Sequence, residues 1–444
     1  MGQIFGTILA FGIVFGVLVF IHEFGHFFAA KLNKVKVEVF SWGYGKRLFG
    51  IKRGDTDYRV SIFPLGGFVK FSGEEAFDLK RELAPYDFMA KQRWQKFIII
   101  FMGPLMNIVL AVVLFSFINL VGVSIPEYQD QAPVIGWIEP GSPAERANLQ
   151  IDDRILSINK KKTKTWSEVE LAVGTKPEKL ITLEVKRGSE IISVELMTEK
   201  RTRYEMGYAG FFGKILTQAG VVLPGSPAEK AGVKPGDVLL AINGQPVFYN
   251  RFVENIERNA GNELEFLIER EGQTQILRIT PRLEGKVGKI GVGLAPKSVI
   301  KKYGLFAAGY QGFKESVKLT FLVVNFIKDL ITGEASPRQL GGPIEIANIS
   351  YAAFRMGFIA MISWIAIISL QLGIINLFPI PVLDGGQLLV LILEGITRRD
   401  FSPKVRQIVM QIGFAIFIIL IVFAILNDVT RRLPGGWESL LFWK

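Results

Sequence analysis

Four long apolar stretches alternate with polar segments along the chain and predict membrane-spanning helices. They cover residues 4–30, 97–121, 356–383 and 407–427. Each reaches the roughly 20 residues needed to cross the hydrocarbon core of a bilayer. A fifth stretch, residues 305–331, carries five charged residues, which is typical of a helix lying on a membrane surface. The pattern therefore predicts a polytopic α-helical membrane protein with four transmembrane helices.

A tandem repeat lies between the second and the fifth stretch. Residues 141–159 recur 84 positions later as residues 225–243, with ten of the 19 positions identical. A constant offset over a whole unit indicates tandem domains. Each copy has a Gly-Ser-Pro-Ala turn with a helix cap, a short helix, a second turn at Asp153 or Asp237, and an alternating strand. The sequence therefore predicts two small soluble α+β domains.

The repeat units resemble PDZ domains, and the second copy matches better than the first. In the first copy Asn148 and Asp152 replace Gly232 and Gly236 of the second, so its turn and any standard peptide groove stay open questions. Three roles remain for the PDZ-like pair, because fold alone does not give function. The domains screen substrates by size, bind peptide ligands or act as a spacer without a ligand.

The composition is typical of a membrane protein and excludes sites that depend on cysteine. Hydrophobic residues make up 49% of the chain, and the mean hydropathy is +0.32. The absence of cysteine excludes disulfides, iron–sulfur clusters and thiolate zinc sites. Residues 31–96 hold 14 Lys and Arg, and residues 398–406 hold four. The net charge of +11 therefore indicates basic cytoplasmic loops rather than nucleic-acid binding. Residues 122–300 are then expected on the far side of the membrane.

A metal-binding motif interrupts the first apolar stretch. Residues 22–26 read His-Glu-Phe-Gly-His, which is H-E-x-x-H, and the two histidines are the only ones in the chain. Residues four apart share a helix face, so His22 and His26 can reach one ion, and Glu23 beside them can accept a proton from the attacking water. Ionisable groups in an apolar segment are costly and indicate function. The alternative is a histidine pair satisfied by neighbouring polar groups.

The third ligand has to be a carboxylate at membrane depth. A catalytic zinc ion has three protein ligands and one open position, and the chain offers no further His or Cys. Asp384 is the first carboxylate after the 28 uncharged residues 356–383. Pro379 and Pro381 break the helix before it, and unwound backbone at this depth is tolerated where it lines a cavity. Asp384 as a helix cap at the end of the span is the alternative.

Residues 31–96 contain predicted β-structure. Strands are expected at 58–63 and 68–71, joined by a turn at 64–67, and Gly43 and Gly45 lie in a second aromatic, glycine-rich segment. Two interpretations remain open. The region is either a small cytoplasmic β-domain or a hairpin that reaches towards the metal and offers an edge strand to substrate.

These motifs together resemble the site-2 protease family, in particular its RseP-type members with two periplasmic PDZ domains. The resemblance rests on H-E-F-G-H at 22–26, Gly-Pro-Leu-Met-Asn at 103–107, N-x-x-P-x-P-x-L-D-G at 376–385 and the tandem insert. It implies an intramembrane zinc endopeptidase that cleaves transmembrane segments, notably of anti-sigma factors and remnant signal peptides, in regulated intramembrane proteolysis and stress response. It also implies zinc ligation by His22, His26 and Asp384, with Glu23 as general base.

The resemblance extends to residues that bind substrate. Asn376 resembles the family asparagine that contacts substrate near the metal, and residues 66–68 are similar to the family's substrate-clamping β-element. We therefore assign the following residues to substrate binding: Asn376, Gly43, Gly45, Gly66, Gly67, Phe68, Pro379 and Pro381. Two other functions compete with this one, namely a non-catalytic membrane PDZ scaffold and a zinc enzyme that acts on soluble peptides at the membrane surface.

The expected organisation has ten segments in a bacterial inner membrane, with the metal in the cytoplasmic leaflet and the PDZ-like domains in the periplasm. The segments are transmembrane helix 1 (1–31), a membrane-associated β region (32–96), helix 2 (97–122), PDZ-like domain 1 (123–205), PDZ-like domain 2 (206–298), a surface helix and linker (299–350), helix 3 (351–384), a cytoplasmic loop (385–404), helix 4 (405–427) and a tail (428–444).

Overall fold

The computed structural model describes residues 2–74, 82–202, 204–285 and 287–433. Its helices are α1 (Gly2–Leu32), α2 (Arg93–Val121), α3 (Pro143–Arg146), α4 (Trp166–Gly174), α5 (Pro227–Lys230), α6 (Tyr249–Arg258), α7 (Leu305–Ile331), α8 (Pro343–Met356), α9 (Phe358–Asn376), α10 (Asp384–Thr397) and α11 (Pro403–Thr430). Short 3-10 turns occupy Glu127–Asp130 and Pro337–Gln339. The tail predicted at 428–444 falls mostly on residues 434–444, which lie outside the described residues.

The strands fall in two parts of the chain, one before α2 and one between α2 and α7. They are β1 (Val37–Arg53), β2 (Thr56–Phe71), β3 (Val123–Pro126), β4 (Ile135–Ile138), β5 (Arg154–Ile158), β6 (Lys161–Lys162), β7 (Leu180–Arg187), β8 (Glu190–Met197), β9 (Glu199–Arg201), β10 (Met206–Tyr208), β11 (Phe211–Gly213), β12 (Thr217–Val222), β13 (Val238–Ile242), β14 (Gln245–Pro246), β15 (Leu264–Arg270), β16 (Gln273–Ile279), β17 (Arg282–Glu284), β18 (Val287–Lys289), β19 (Val292–Pro296) and β20 (Ser298–Lys301).

The chain divides into two compact units. The first contains the described residues up to Gly122, Lys302–Ile327 and those from Leu340 onward, and the second contains Val123–Lys301 and Lys328–Gln339. Four helices of the first unit, α1, α2, α9 and α11, have the length and apolar composition needed to cross a membrane. Together with the sheet-rich second unit, they fit the predicted polytopic membrane protein.

Glycines allow the membrane-length helices of the first unit to pack closely. A Cβ atom at Gly25 of α1 would overlap the Met102 carbonyl of α2, and a Cβ at Gly373 of α9 would press on the Pro104 carbonyl. Small residues matter here because the hydrophobic effect does not drive apolar helices together in lipid. Close van der Waals contact between the helices stabilises their association instead. The glycines thus place α1 and α9 directly against α2, where the polar residues of α1 lie.

The predicted third span differs from the structure at its end. The sequence predicts one span to residue 383 or 384 followed by a loop over 385–404, whereas α9 ends at Asn376 and α10 begins at Asp384. The seven residues between them contain two prolines, which cannot continue the backbone hydrogen bonds of a helix. A Cβ at Gly385 would overlap the Leu377 carbonyl, so the loop folds tightly against the start of α10. Residues 343–356, expected as linker and span, form the separate helix α8.

The β region before α2 is one bent pair of long strands. β2 contains both predicted strands, and residues 64–67 belong to it instead of forming a separate turn. Phe40 of β1 pairs with Val69 and also with Tyr58 of β2, so the two halves of β2 lie on either side of β1. The bend includes Gly66, whose φ of +122° favours a residue without a Cβ.

Both repeat copies in the second unit fold alike at their start. Ser142 and Ser226 cap α3 and α5 by accepting a hydrogen bond from the backbone N–H three residues on. In the first copy, Asn148 and Asp152 adopt φ values of +55° and +72°, the left-handed region that the second copy fills with glycines. Asn and Asp tolerate this region better than other side chains, so the first turn keeps its shape without glycine.

A buried ion pair shows that the structural repeat extends beyond the matching sequence. Asp153 accepts hydrogen bonds of 2.8 and 2.6 Å from Arg187, and Asp237 accepts two of 2.7 Å from Arg270. Burial by itself raises the pKa of Asp237, but hydrogen bonds from Arg270 and the Lys234 N–H outweigh it and lower that pKa. Each copy therefore repeats the same polar contact between the residue that precedes β5 or β13 and the last residue of the neighbouring strand, β7 or β15.

Candidate active site

Three side chains from two distant parts of the chain converge in the first unit. His22 and His26 lie one turn apart on α1, with their Nε2 atoms 3.2 Å from each other. Asp384 places one carboxylate oxygen 3.1 Å from Nε2 of His22 and the other 3.6 Å from Nε2 of His26. One donor atom of each residue lies within 4.8 Å of the other two. The structure thus brings together the three ligands predicted from sequence.

The donor set fits a catalytic zinc ion. Two imidazole nitrogens and one carboxylate oxygen are ligands that zinc accepts, and a set of three leaves one coordination position open. His22 and His26 are each only 9% exposed, so the donors lie in a shielded pocket. Throughout residues 2–74, 82–202, 204–285 and 287–433, no second group of three or more His, Asp or Glu side chains has this spacing.

Helix α2 orients the ring of His26. Nδ1 of His26 lies 2.8 Å from the carbonyl oxygen of Ile99, which can only accept a hydrogen bond. The ring therefore carries its proton on Nδ1 and turns the lone pair of Nε2 towards His22 and Asp384. A Cβ at Gly103 would overlap this ring, so glycine is needed for the close approach of α2.

Asn107 of α2 contacts the other histidine and has no role assigned from sequence. Its side-chain amide lies 3.3 Å from Nδ1 of His22, and the residue is fully buried. The sequence motif at 103–107 contained Asn107 without indicating a function for it. The signal that could have found it is polarity, because an asparagine within the uncharged stretch 97–121 of a membrane-length helix needs a partner.

Glu23 lies between the metal ligands and strand β2. Its carboxylate accepts a hydrogen bond from the Val69 N–H and lies within electrostatic range of both histidines and Asp384. A Cβ at Gly67 would lie 3.2 Å from Cγ of Glu23, so the strand passes directly beside this side chain. The position suits a base that acts on a group lying between the strand and the ligands.

The structure places the predicted substrate-binding residues in three segments. Residues 66–68 belong to the part of β2 beside Glu23, and Phe68 stacks on Tyr44 with ring centres 5.9 Å apart. Gly43 and Gly45 flank Tyr44 with positive φ values of +96° and +92°. The loop between α9 and α10 carries Pro379 and Pro381 and leads directly to Asp384, and Asn376 ends α9. Substrate binding by these residues stays a prediction.

Comparison with known proteins identifies the family of the chain. The sequence model of peptidase family M50 matches residues 10–420. The chain is similar to the putative zinc metalloprotease of Neisseria meningitidis, at 32% identity over 96% of this chain and 99% of the relative. It is also similar to the regulator of sigma E protease of Haemophilus influenzae, at 33% identity over 95% of this chain and 98% of the relative. Protease RseP of Yersinia pestis is 33% identical over 97% of this chain and 100% of the relative. The family prediction is confirmed: the chain belongs to peptidase family M50, the site-2 protease family, and is a metalloprotease.

Proposed function

We propose that the protein is an intramembrane zinc endopeptidase that cleaves transmembrane segments of single-span membrane proteins. The observation that carries this proposal is the cluster of His22, His26 and Asp384 beside Glu23, with both histidines and Glu23 on a helix of membrane-spanning length. Zinc is the cofactor, and these three ligands hold it. The relatives named regulator of sigma E protease favour anti-sigma factors as substrates, and remnant signal peptides belong to the same class.

The protein's own residues handle the proton and position the reacting groups. Bound zinc supplies Lewis acidity, which activates water near neutral pH and polarises the scissile carbonyl. Glu23 accepts the proton of the attacking water and transfers it to the leaving amine. The Val69 N–H of β2 faces the Glu23 carboxylate and is positioned to orient it for both transfers.

Strand β2 is suited to hold an unwound substrate. A transmembrane helix hides its carbonyl groups in backbone hydrogen bonds, so the segment must become extended before water can attack. Residues 67–71 of β2 pair with residues 37–42 of β1 on one side. An extended substrate can add to the other side by main-chain pairing, next to Glu23. This contact gives Gly66, Gly67 and Phe68 their proposed role. Asn376 ends α9, and Pro379 and Pro381 lie in the loop that leads to Asp384.

Fragments from cells expressing the wild type or the Glu23→Gln variant test this function. The wild type is expected to produce membrane-protein fragments whose new ends lie inside transmembrane segments, and the variant none. Wild-type fragments that end only in soluble segments would favour the zinc enzyme acting on soluble peptides. Identical patterns in both cell lines with no new ends inside transmembrane segments would favour the non-catalytic scaffold.

The distribution of basic residues supports a defined orientation in the proposed bacterial inner membrane. The loops 31–96 and 398–406 carry the excess of Lys and Arg that marks cytoplasmic segments. His22 precedes Lys31 by nine residues, about 14 Å along a helix, so the metal site lies in the cytoplasmic leaflet. The insert at 123–301 then faces the periplasm.

The insert is proposed to contain two PDZ-like domains that screen substrates and take no part in the chemistry. Each copy has its own hydrophobic core, built around Leu183 in the first and Phe266 in the second. The second copy has a groove of about 350 Å³ beside β19, lined by side chains that include Leu223, Phe252 and Ile256. Peptide capture in this groove is the competing role.

Replacement of residues 126–296 by a short linker separates the two roles. If the pair excludes substrates with bulky periplasmic parts, the shortened protein is expected to cleave untrimmed substrates that the wild type spares. Under peptide capture, cleavage of trimmed substrates falls instead. Both rates are measured in membranes with comparable amounts of inserted protein. No change in either rate would mean that the domains are a spacer or a platform for other partners.

A further inference from the structure

The tautomer of His22 is not fixed by its surroundings in the way that the tautomer of His26 is. Nδ1 of His26 faces a backbone carbonyl, whereas Nδ1 of His22 faces the side-chain amide of Asn107, 3.3 Å away. A carbonyl only accepts a hydrogen bond, but an amide has a donor side and an acceptor side. The partner of His22 can therefore match either tautomer, depending on which side it presents.

Each orientation of the Asn107 amide corresponds to a different state of His22. With Nδ2 towards the ring, Nδ2–H donates to Nδ1, and His22 donates its Nε2–H to the Asp384 carboxylate 3.1 Å away. With Oδ1 towards the ring, Oδ1 accepts Nδ1–H and leaves the lone pair of Nε2 free beside Asp384. The second state is the one in which His22 can serve as a metal ligand.

The pocket around Asn107 fixes the position of the residue but not the orientation of its amide. The backbone carbonyl of Asn107 accepts a 2.8 Å hydrogen bond from Ser369 of α9, which ties α2 to α9 at this point. The side chain is fully buried, and its Oδ1 has no hydrogen-bond partner among the residues that the structure describes. A buried acceptor without a partner is rare and calls for an explanation. Rotation of the amide would pair Oδ1 with Nδ1–H of His22 and leave Nδ2 unpaired instead, so each orientation satisfies one side of the amide.

We propose that Asn107 is a positioning residue that couples zinc binding to the tautomer of His22 by turning its amide. Zinc binding needs Nε2 of His22 without a proton, and the amide supports that state by presenting Oδ1 to Nδ1–H. The inference rests on the proposed zinc site. It adds Asn107 as a hydrogen-bond partner of the ligand His22 whose amide can present either its donor or its acceptor side. Asparagine suits this role because it is uncharged and carries both kinds of hydrogen-bonding group at one end.

Zinc affinity of purified full-length variants, measured by competition with a chelator, tests the proposal. Asn107→Leu keeps the approximate volume and removes both hydrogen-bonding groups, and we expect zinc binding about 10–100-fold weaker, the usual effect of losing an outer partner of a ligating histidine. Asn107→Asp keeps the acceptor and is expected to bind zinc at least as tightly as wild type. Asn119→Leu is the matched control, because Asn119 is a buried asparagine of α2 that donates to the Phe115 carbonyl.

A second readout follows the tautomer itself. The chain has only two histidines, so ¹⁵N-histidine labelling gives two ring signals to assign. Zinc-free wild type is expected to carry the His22 proton on Nε2, and zinc-loaded wild type to show Nδ1–H on both rings. Asn107→Leu removes the acceptor of the His22 Nδ1–H, so its zinc-loaded form is expected to show a shifted, faster-exchanging Nδ1–H signal at His22 alone. Equal zinc affinity and an unchanged His22 Nδ1–H signal in Asn107→Leu, or an Asp variant as weak as the Leu variant, would overturn the role of Asn107. Wild-type protein that binds no zinc would overturn the metal site and this role with it.

Discussion

Glu23→Gln is expected to lower the rate of cleavage of a transmembrane substrate by about 10²–10⁴-fold, the usual contribution of a general acid–base group. Glutamine has nearly the same shape but cannot accept a proton at neutral pH. Glu23 is not one of the three predicted ligands, so zinc content should stay at the wild-type level. Single-turnover cleavage in proteoliposomes gives the rate, and metal analysis of the same preparation gives the zinc content.

Glu38→Gln is the control for this experiment. Glu38 lies on β1, is partly exposed and lies 3.9 Å from Nζ of Lys70, so its substitution should leave both the rate and the zinc content unchanged. A Glu23→Gln variant that cleaves the substrate at close to the wild-type rate would show that another group takes the proton. Loss of zinc together with activity would show instead that Glu23 helps to hold the metal.

Asp384→Asn is expected to remove zinc binding and cleavage together. The neutral amide is a weaker ligand than a carboxylate, and the chain has no further His or Cys to replace it. We expect zinc to bind more than about 100-fold more weakly, beyond the range for loss of an outer partner of a ligand. Chelator competition measures the affinity, and the proteoliposome assay measures the remaining cleavage.

Asp400→Asn is the matched control, because Asp400 is an exposed aspartate that pairs with Arg93 and lies after α10. It should bind zinc as wild type does. Full zinc occupancy and normal turnover in Asp384→Asn would contradict the proposed ligand set. The search for a third ligand would then move to the carboxylates of residues 31–96.

The structure and the local sequence patterns agree where short-range rules apply. The four membrane-length helices follow from apolar runs, since the bilayer sets the required length. The spacing of His22 and His26 follows from helix geometry, and the serine caps of the two repeats follow from their Gly-Ser-Pro-Ala turns. Each of these features depends on residues that lie close together in the sequence, within one helical turn or within one membrane span.

The first repeat shows the limit of reading turns from glycine alone. Asn148 and Asp152 stand where the second copy has glycines, so the sequence did not decide whether the first turn keeps its shape. In the structure both residues adopt the left-handed conformation. The turn is decided by a backbone conformation that three residue types can reach at different cost. Sequence composition therefore indicated where the turn lies but could not decide whether its shape was retained.

The sequence by itself determined the membrane spans, the repeat, the histidine motif and the need for a carboxylate ligand. Only the tertiary structure decided that Asp384 meets the histidines, that α9 ends at Asn376, and that β2 passes beside Glu23. It also decided that Asn107 contacts His22. The physical reason is that apolar runs and helix periodicity act over a few turns, whereas these contacts depend on how closely α1, α2, β2 and the loop before α10 pack together.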